Sequence, residues 1–158
     1  MGSKAYRQPP SLYRPVGFEL AAPEGVQITP GPTLCCTETR DGKTVGQLEV
    51  APFRAALIVD RDGILEEKVR AATGGAPRPV ELPGASGFKA EKVASSEAMP
   101  YLRVFAFAPL GVDGGLLVVV RSVAPDWTAA DSILQSLRVL TRGGPANDDN
   151  GPKMPFAP

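Results

Sequence analysis

Histidine does not occur anywhere in this sequence. Its absence removes the commonest general base, the commonest transition-metal ligand and the usual switch near neutral pH. Cysteine is almost missing as well: the two present, Cys35 and Cys36, are neighbours. Adjacent side chains on a strand point to opposite faces, so a bridge between them would need strained geometry, and one buried and one exposed thiol are expected. Neither a zinc framework nor a disulfide scaffold can be built from such a pair, and a thiol nucleophile would lack an imidazole partner. Net charge is also lacking, with 17 basic and 17 acidic residues. No overall field recruits nucleic acid or anionic lipid, and a nucleic-acid role is disfavoured. No run approaches the ~20 apolar residues of a membrane span. The first ten residues have no signal-peptide core, and Tyr6 stands where N-myristoylation wants serine or threonine. A cytoplasmic protein is expected, or a periplasmic one if the opening Met-Gly-Ser replaces a removed leader.

What the chain does have is punctuation: 17 glycines and 17 prolines among 158 residues. A length of this order suits one domain that buries roughly 70% of its unfolded surface, enough for a core without metals or disulfides. Residues 1–15 carry Pro9, Pro10 and Pro15 and read as an extended N-terminal arm, and residues 141–158 read as an extended or disordered tail. The domain between them, 16–140, holds strand-like runs at 16–22, 33–39, 45–50 and 55–60, with a hairpin signal at Asp41-Gly42 and a bulge or edge at Pro52. Residues 60–73 form the first expected helix, capped by Asp62 and ended by Gly74-Gly75. A proline-rich crossover loop at 76–84 leads to strands at 86–95 and 101–108.

The stretch 114–140 anchors the reading. Residues 116–120 are a β-branched, buried-strand run that Pro125-Asp126 stops. Trp127, Ala130, Ile133, Leu134, Leu137 and Leu140 then recur at helical spacing and predict a closing amphipathic helix. In the strand expected at 101–108, Tyr101, Arg103, Phe105 and Phe107 share one face and Leu102, Val104 and Ala106 the other. If the closing helix covers the second face, the aromatic row is either a further core face or a binding patch.

Other local features have plain explanations. Asp60-Arg-Asp-Gly lacks the third acid and the twelfth-position glutamate of a calcium loop, so helix capping is expected of it. Gly84-Ala-Ser-Gly does not have nucleophile-elbow spacing, and no histidine could activate Ser86. Gly74-Gly75 and Gly114-Gly115 lack the lysine-serine of a phosphate loop and read as ordinary loop flexibility.

Residues 17–25, Gly-Phe-Glu-Leu-Ala-Ala-Pro-Glu-Gly, and the closing run from Trp127 to its serine-leucine finish at Leu137 resemble the PsbP/Mog1/DcrB-like superfamily. The resemblance spans about residues 16–140. It implies a single antiparallel sheet covered by helices, an α+β fold, and binding, chaperone or accessory roles without a shared catalytic residue. The chain departs from the lipoprotein branch in having no lipid-modified cysteine after a leader, and from the chaperone branch in its proline-rich middle and tails.

The expected function is therefore a non-enzymatic protein-binding module, an accessory or assembly subunit of a larger complex. It would dock through its terminal arms and one sheet face, with Tyr101, Arg103, Phe105, Phe107 and Trp127 as contact residues and no cofactor or metal. A chaperone of a secreted effector, in the manner of type VI secretion, is the first alternative and needs a concave apolar sheet face. A small-ligand carrier or hydrolase is the second, and needs a pocket gathering Asp60, Asp62, Glu66 and Cys36.

Overall fold

A computed structural model of the chain describes residues 3–93 and 96–142. In chain order the elements are β1 (Lys4–Gln8), β2 (Val16–Ala22), β3 (Val26–Thr29), β4 (Leu34–Arg40), β5 (Lys43–Arg54), α1 (Leu57–Thr73), β6 (Arg78–Leu82), β7 (Ala85–Lys92), β8 (Tyr101–Ala108), β9 (Gly114–Ser122), α2 (Thr128–Ser136) and β10 (Arg138–Thr141). The fold is α+β, but with two antiparallel sheets where a single one was expected. One has seven strands in the order β3-β4-β5-β9-β8-β7-β6, and the other has three in the order β1-β2-β10.

Local chemistry accounts for most elements. Asp41 and Gly42 both take positive φ, 53° and 78°, and close the two-residue turn between β4 and β5. Strand β5 then runs straight through Pro52, where two strands had been expected. The pairing of β4 with β5 ends at Leu34 opposite Val50, so at Pro52 the strand is a local edge and a missing N–H costs no ladder bond there.

The residues expected to form a strand at 55–60 instead begin α1. Its helical geometry breaks at Asp60 (φ −156°, ψ 73°), whose Oδ1 accepts the Gly63 N–H at 3.2 Å and caps the longer part of the helix. Asp62, the expected cap, pairs with Arg61 instead. At the far end Gly74 takes φ 73° and donates its N–H to the Arg70 carbonyl at 2.7 Å, a stop at the expected place.

Three further expectations are corrected. The N-terminal arm is a sheet strand over β1, paired with β2 from Lys4–Ala22 to Gln8–Phe18. The loop expected at 76–84 contains the edge strand β6, joined to β7 by a turn with Gly84 at φ 83°. The last helix ends at Ser136, and Val139 and Leu140 belong to β10, which pairs with β2. Ser136 marks the change: its hydroxyl accepts the Ala21 N–H at 2.8 Å, and Leu137 is already extended (ψ 129°). A tail was expected from 141 onward; Thr141 ends β10, and the stretch beyond 142 lies outside the described residues.

Alternation along the seven-stranded sheet sends side chains into two cores. Phe105, Phe107, Leu116, Val118, Leu48, Val50 and Cys36 join Phe18 of the small sheet and Ala130, Ile133 and Leu137 at and just after α2. Leu102, Val104, Ala106 and Ala90 pack on the opposite side under Leu57, Leu65 and Val69 of α1. Each large aliphatic or aromatic side chain so buried contributes about 1.5–3 kcal/mol. No helix among the described residues is long and apolar enough to cross a membrane.

Candidate functional site

The row expected to contact a partner is mostly interior. Phe105 and Phe107 are 4% and 1% exposed, with ring centroids 5.8 Å apart in a stacked pair. Trp127 is 5% exposed, and its ring lies where a Cβ on Gly46 would be. Its Nε1–H donates to Glu38 Oε1 at 2.6 Å, while Arg40 holds the other carboxylate oxygen at 2.9 Å. Tyr101 and Arg103 are half-buried, and Arg103 reaches Asp131 of α2 at 3.4 Å. The structure thus brings four of these five residues to the first core and its α2 border, as a second core face rather than a docking patch. The sheet face that a chaperone would offer as an apolar trough is covered by α2 and the small sheet.

The acids and thiol of the hydrolase reading are not gathered either. Cys36 lies in the first core, whereas Asp60, Asp62 and Glu66 ride on α1 across the seven-stranded sheet. Burial, with a smaller push from Cys35, raises the Cys36 thiol from 9.0 to about 11, so it stays protonated at neutral pH. Cys35 is half-buried on the other face, its Sγ 3.4 Å from Thr37 Oγ1. Among the described residues no group of three or more His, Cys, Asp or Glu is placed to hold a metal ion.

What the fold does assemble is an apolar end. Three connections meet there: residues 9–15, residues 55–59 and residues 109–113. Ser11 Oγ accepts the Tyr13 and Arg14 N–H groups, both at 3.2 Å, and this turn holds Leu12 and Tyr13 outward. The same segment presses on the start of β9, where a Cβ on Gly114 would stand 2.7 Å from Pro15 Cγ. A Cβ on Gly115 would meet the Phe107 carbonyl, so this glycine pair serves close approach within a strand, not the loop flexibility expected of it.

Asp113 ties the other two connections together. Its carbonyl accepts the Ala55 N–H at 3.3 Å, and its Oδ1 accepts the Ile58 N–H at 3.2 Å. Leu57 therefore turns inward, and Ile58 and Val59 turn out. Arg61, just past the Asp60 break, donates through Nη2 to the Ser86 carbonyl at 2.7 Å, the Ser86 hydroxyl at 2.9 Å and the Ala108 carbonyl at 2.6 Å. This guanidinium clamps the helix tip to the ends of β7 and β8.

The outcome is an exposed apolar rim. Leu12, Tyr13, Ile58, Val59 and Leu110 are 74%, 81%, 73%, 83% and 81% exposed. Among the described residues only Val93 and Val123 are further large apolar side chains of this kind. Between the α1 tip and the 109–113 loop lies a cleft of about 250 Å³ lined by Leu57, Ile58, Arg61, Gly111 and Val112. None of the rim residues was singled out from sequence. The available signal was an apolar residue set among loop formers, as in Pro109-Leu110-Gly111, and it becomes visible only when several such loops meet.

Comparison with known proteins adds a fold and no function. No family model matches the chain, and no curated protein matches it. A 1.50 Å crystal structure of a protein from Bacteroides thetaiotaomicron VPI-5482 is similar, with a TM-score of 0.60 and 10% identity over 90% of this chain. This chain spans about half (50%) of that one. At such identity the likeness speaks for the arrangement of strands and helices alone.

Proposed function

We propose that this protein is a non-enzymatic binding module, an accessory subunit that docks on another protein through its apolar loop end rather than through terminal arms and the Tyr101–Phe107 sheet face. The observation that carries the reading is the rim of five exposed apolar side chains on three connections pinned by Asp113, Ser11 and Arg61. Exposed apolar side chains at one end of a fold mark an interaction site where they join into a patch of more than a few hundred Å², and a patch held by hydrogen bonds loses little conformational entropy on binding. The small cleft beside it gives a partner side chain a place to anchor. Kinship with PsbP/Mog1/DcrB-like accessory proteins remains part of this proposal on the residues quoted from 17–25 and 127–137.

The test is affinity capture from the native source with the full chain and with Ile58→Asp/Leu110→Asp, read by mass spectrometry. A stoichiometric partner retained by the native chain and lost by the variant is the expected result. Equal capture by both would overturn the reading.

A further inference from the structure

Strand β10 carries the chain out of the fold at the apolar end. Its last residue, Thr141, pairs with Val16, the first residue of β2. Val16 follows directly on the connection that bears Leu12 and Tyr13. A Cβ on Gly114, next to the loop that bears Leu110, would stand 2.7 Å from Pro15 Cγ and 3.4 Å from Val16 Cγ2. The chain beyond Arg142 therefore continues from beside the exposed rim. Its sequence has two parts. Residues 143–153, Gly-Gly-Pro-Ala-Asn-Asp-Asp-Asn-Gly-Pro-Lys, are small or polar, with the composition of a spacer, whereas residues 154–158, Met-Pro-Phe-Ala-Pro, are apolar throughout.

Resting on the proposed function, we infer that residues 154–158 of this same chain cover the rim and compete with the partner for it, so that the docking end carries its own regulatory strap. The reach is right. From β10 in the small sheet, across the seven-stranded sheet, to the tip of α1 is two layers, about 20 Å at about 10 Å per layer. Eleven residues, 143–153, separate Arg142 from Met154, and a coil of that length spans about 17–20 Å on average. A spacer matched to its span gives an effective concentration of about 1 mM, so a segment with a dissociation constant of about 0.1 mM covers its site about nine-tenths of the time. A second copy of the chain has no such advantage at lower concentration. The chemistry is right as well. Met154 and Phe156 supply large apolar side chains, and Pro155 and Pro158 have no N–H, so laying this segment on an apolar surface strands fewer backbone donors than an ordinary peptide would.

The experiment compares the full chain with its Met154→Asp/Phe156→Asp variant by amide NMR. The signals of Leu12, Tyr13, Ile58, Val59 and Leu110 should differ between the two, while those of the two cores stay in place. A synthetic peptide of residues 143–158, added to the variant at about 1 mM, should move the rim signals back. The native signals should not change on about tenfold dilution, because the contact is intramolecular. Identical rim signals in the two chains, a peptide that leaves the variant unmoved, or a dilution dependence that assigns the segment to a neighbouring copy overturns the inference. Partner binding separates the two proposals. With the strap closed about nine-tenths of the time, Met154→Asp/Phe156→Asp should bind the captured partner about tenfold more tightly than the native chain. A partner lost by Ile58→Asp/Leu110→Asp but bound equally by the native chain and Met154→Asp/Phe156→Asp sinks the strap and leaves the docking end standing. Rim signals that respond to the strap, with capture unaffected by Ile58→Asp/Leu110→Asp, sink the docking end and leave the intramolecular contact.

Discussion

Asp113 accepts the Ile58 N–H through its carboxylate and the Ala55 N–H through its carbonyl, so one residue of the β8–β9 loop sets the path by which β5 becomes α1. No capping side chain precedes α1 in its own segment, because the position before it is Ala56. The cap is supplied from 55 residues away.

Asp113→Ala should accordingly behave as a lost cap, lowering stability by about 1 kcal/mol. Its larger effect should be local. Hydrogen exchange at Ile58 should speed up well beyond the global change, and partner capture should weaken although no rim side chain has been altered. Unchanged exchange at Ile58 would show that the carboxylate does not hold this turn.

The ring of Trp127 occupies the space beside Gly46 on β5, and its indole N–H donates to Glu38. Gly46→Ala should therefore push the indole out of place and destabilise the fold by about 1–3 kcal/mol. Trp127→Phe keeps most of the packing but leaves the Glu38 carboxylate without its indole donor, for a loss of about 1 kcal/mol. Denaturant unfolding monitored by circular dichroism checks both, and a Gly46→Ala protein as stable as the native one would refute the packing argument.

The Cys36 thiol has a pKa near 11 in the folded chain against 9.0 ordinarily. Between these values the native state holds a proton that the unfolded state has released, so stability is full below about pH 9 and declines as pH rises toward about 11. Cys36→Ala removes this component. Its stability should fall less steeply than that of the native protein across that window, measured by urea unfolding at several pH values. In the folded protein at pH 8, alkylation should find Cys35 well before Cys36; the reverse order would contradict the burial assigned to the pair.

Much of the chain was legible because its local signals agree with its tertiary setting. Asp41-Gly42 closes a hairpin wherever two strands flank it, since its conformation suits the twist of the pair. Gly74 stops a helix without help from afar. Strand β8 shows its alternation plainly, and the structure divides Phe105 and Phe107 from Leu102, Val104 and Ala106 as the period of two requires. The role of the aromatic row was not legible, because periodicity assigns a face without saying what covers it. The same ambiguity hid the end of α2: Ile133, Leu137 and Leu140 fit a helical stripe, and β2 claims the last of them for its own ladder.

By itself the sequence determined the α+β composition, the Asp41-Gly42 turn, the helix stop at Gly74 and the lack of imidazole chemistry, all consequences of residue type acting within a few positions. Only the tertiary structure decided that there are two sheets, that Lys4–Gln8 is a strand rather than an arm, and that Trp127 and Phe107 are interior. It alone also collected the exposed rim, because Leu12, Ile58 and Leu110 are distant in the chain. Their proximity depends on long-range strand pairing and on hydrogen bonds such as that from Ile58 to Asp113, whose partners no local pattern specifies.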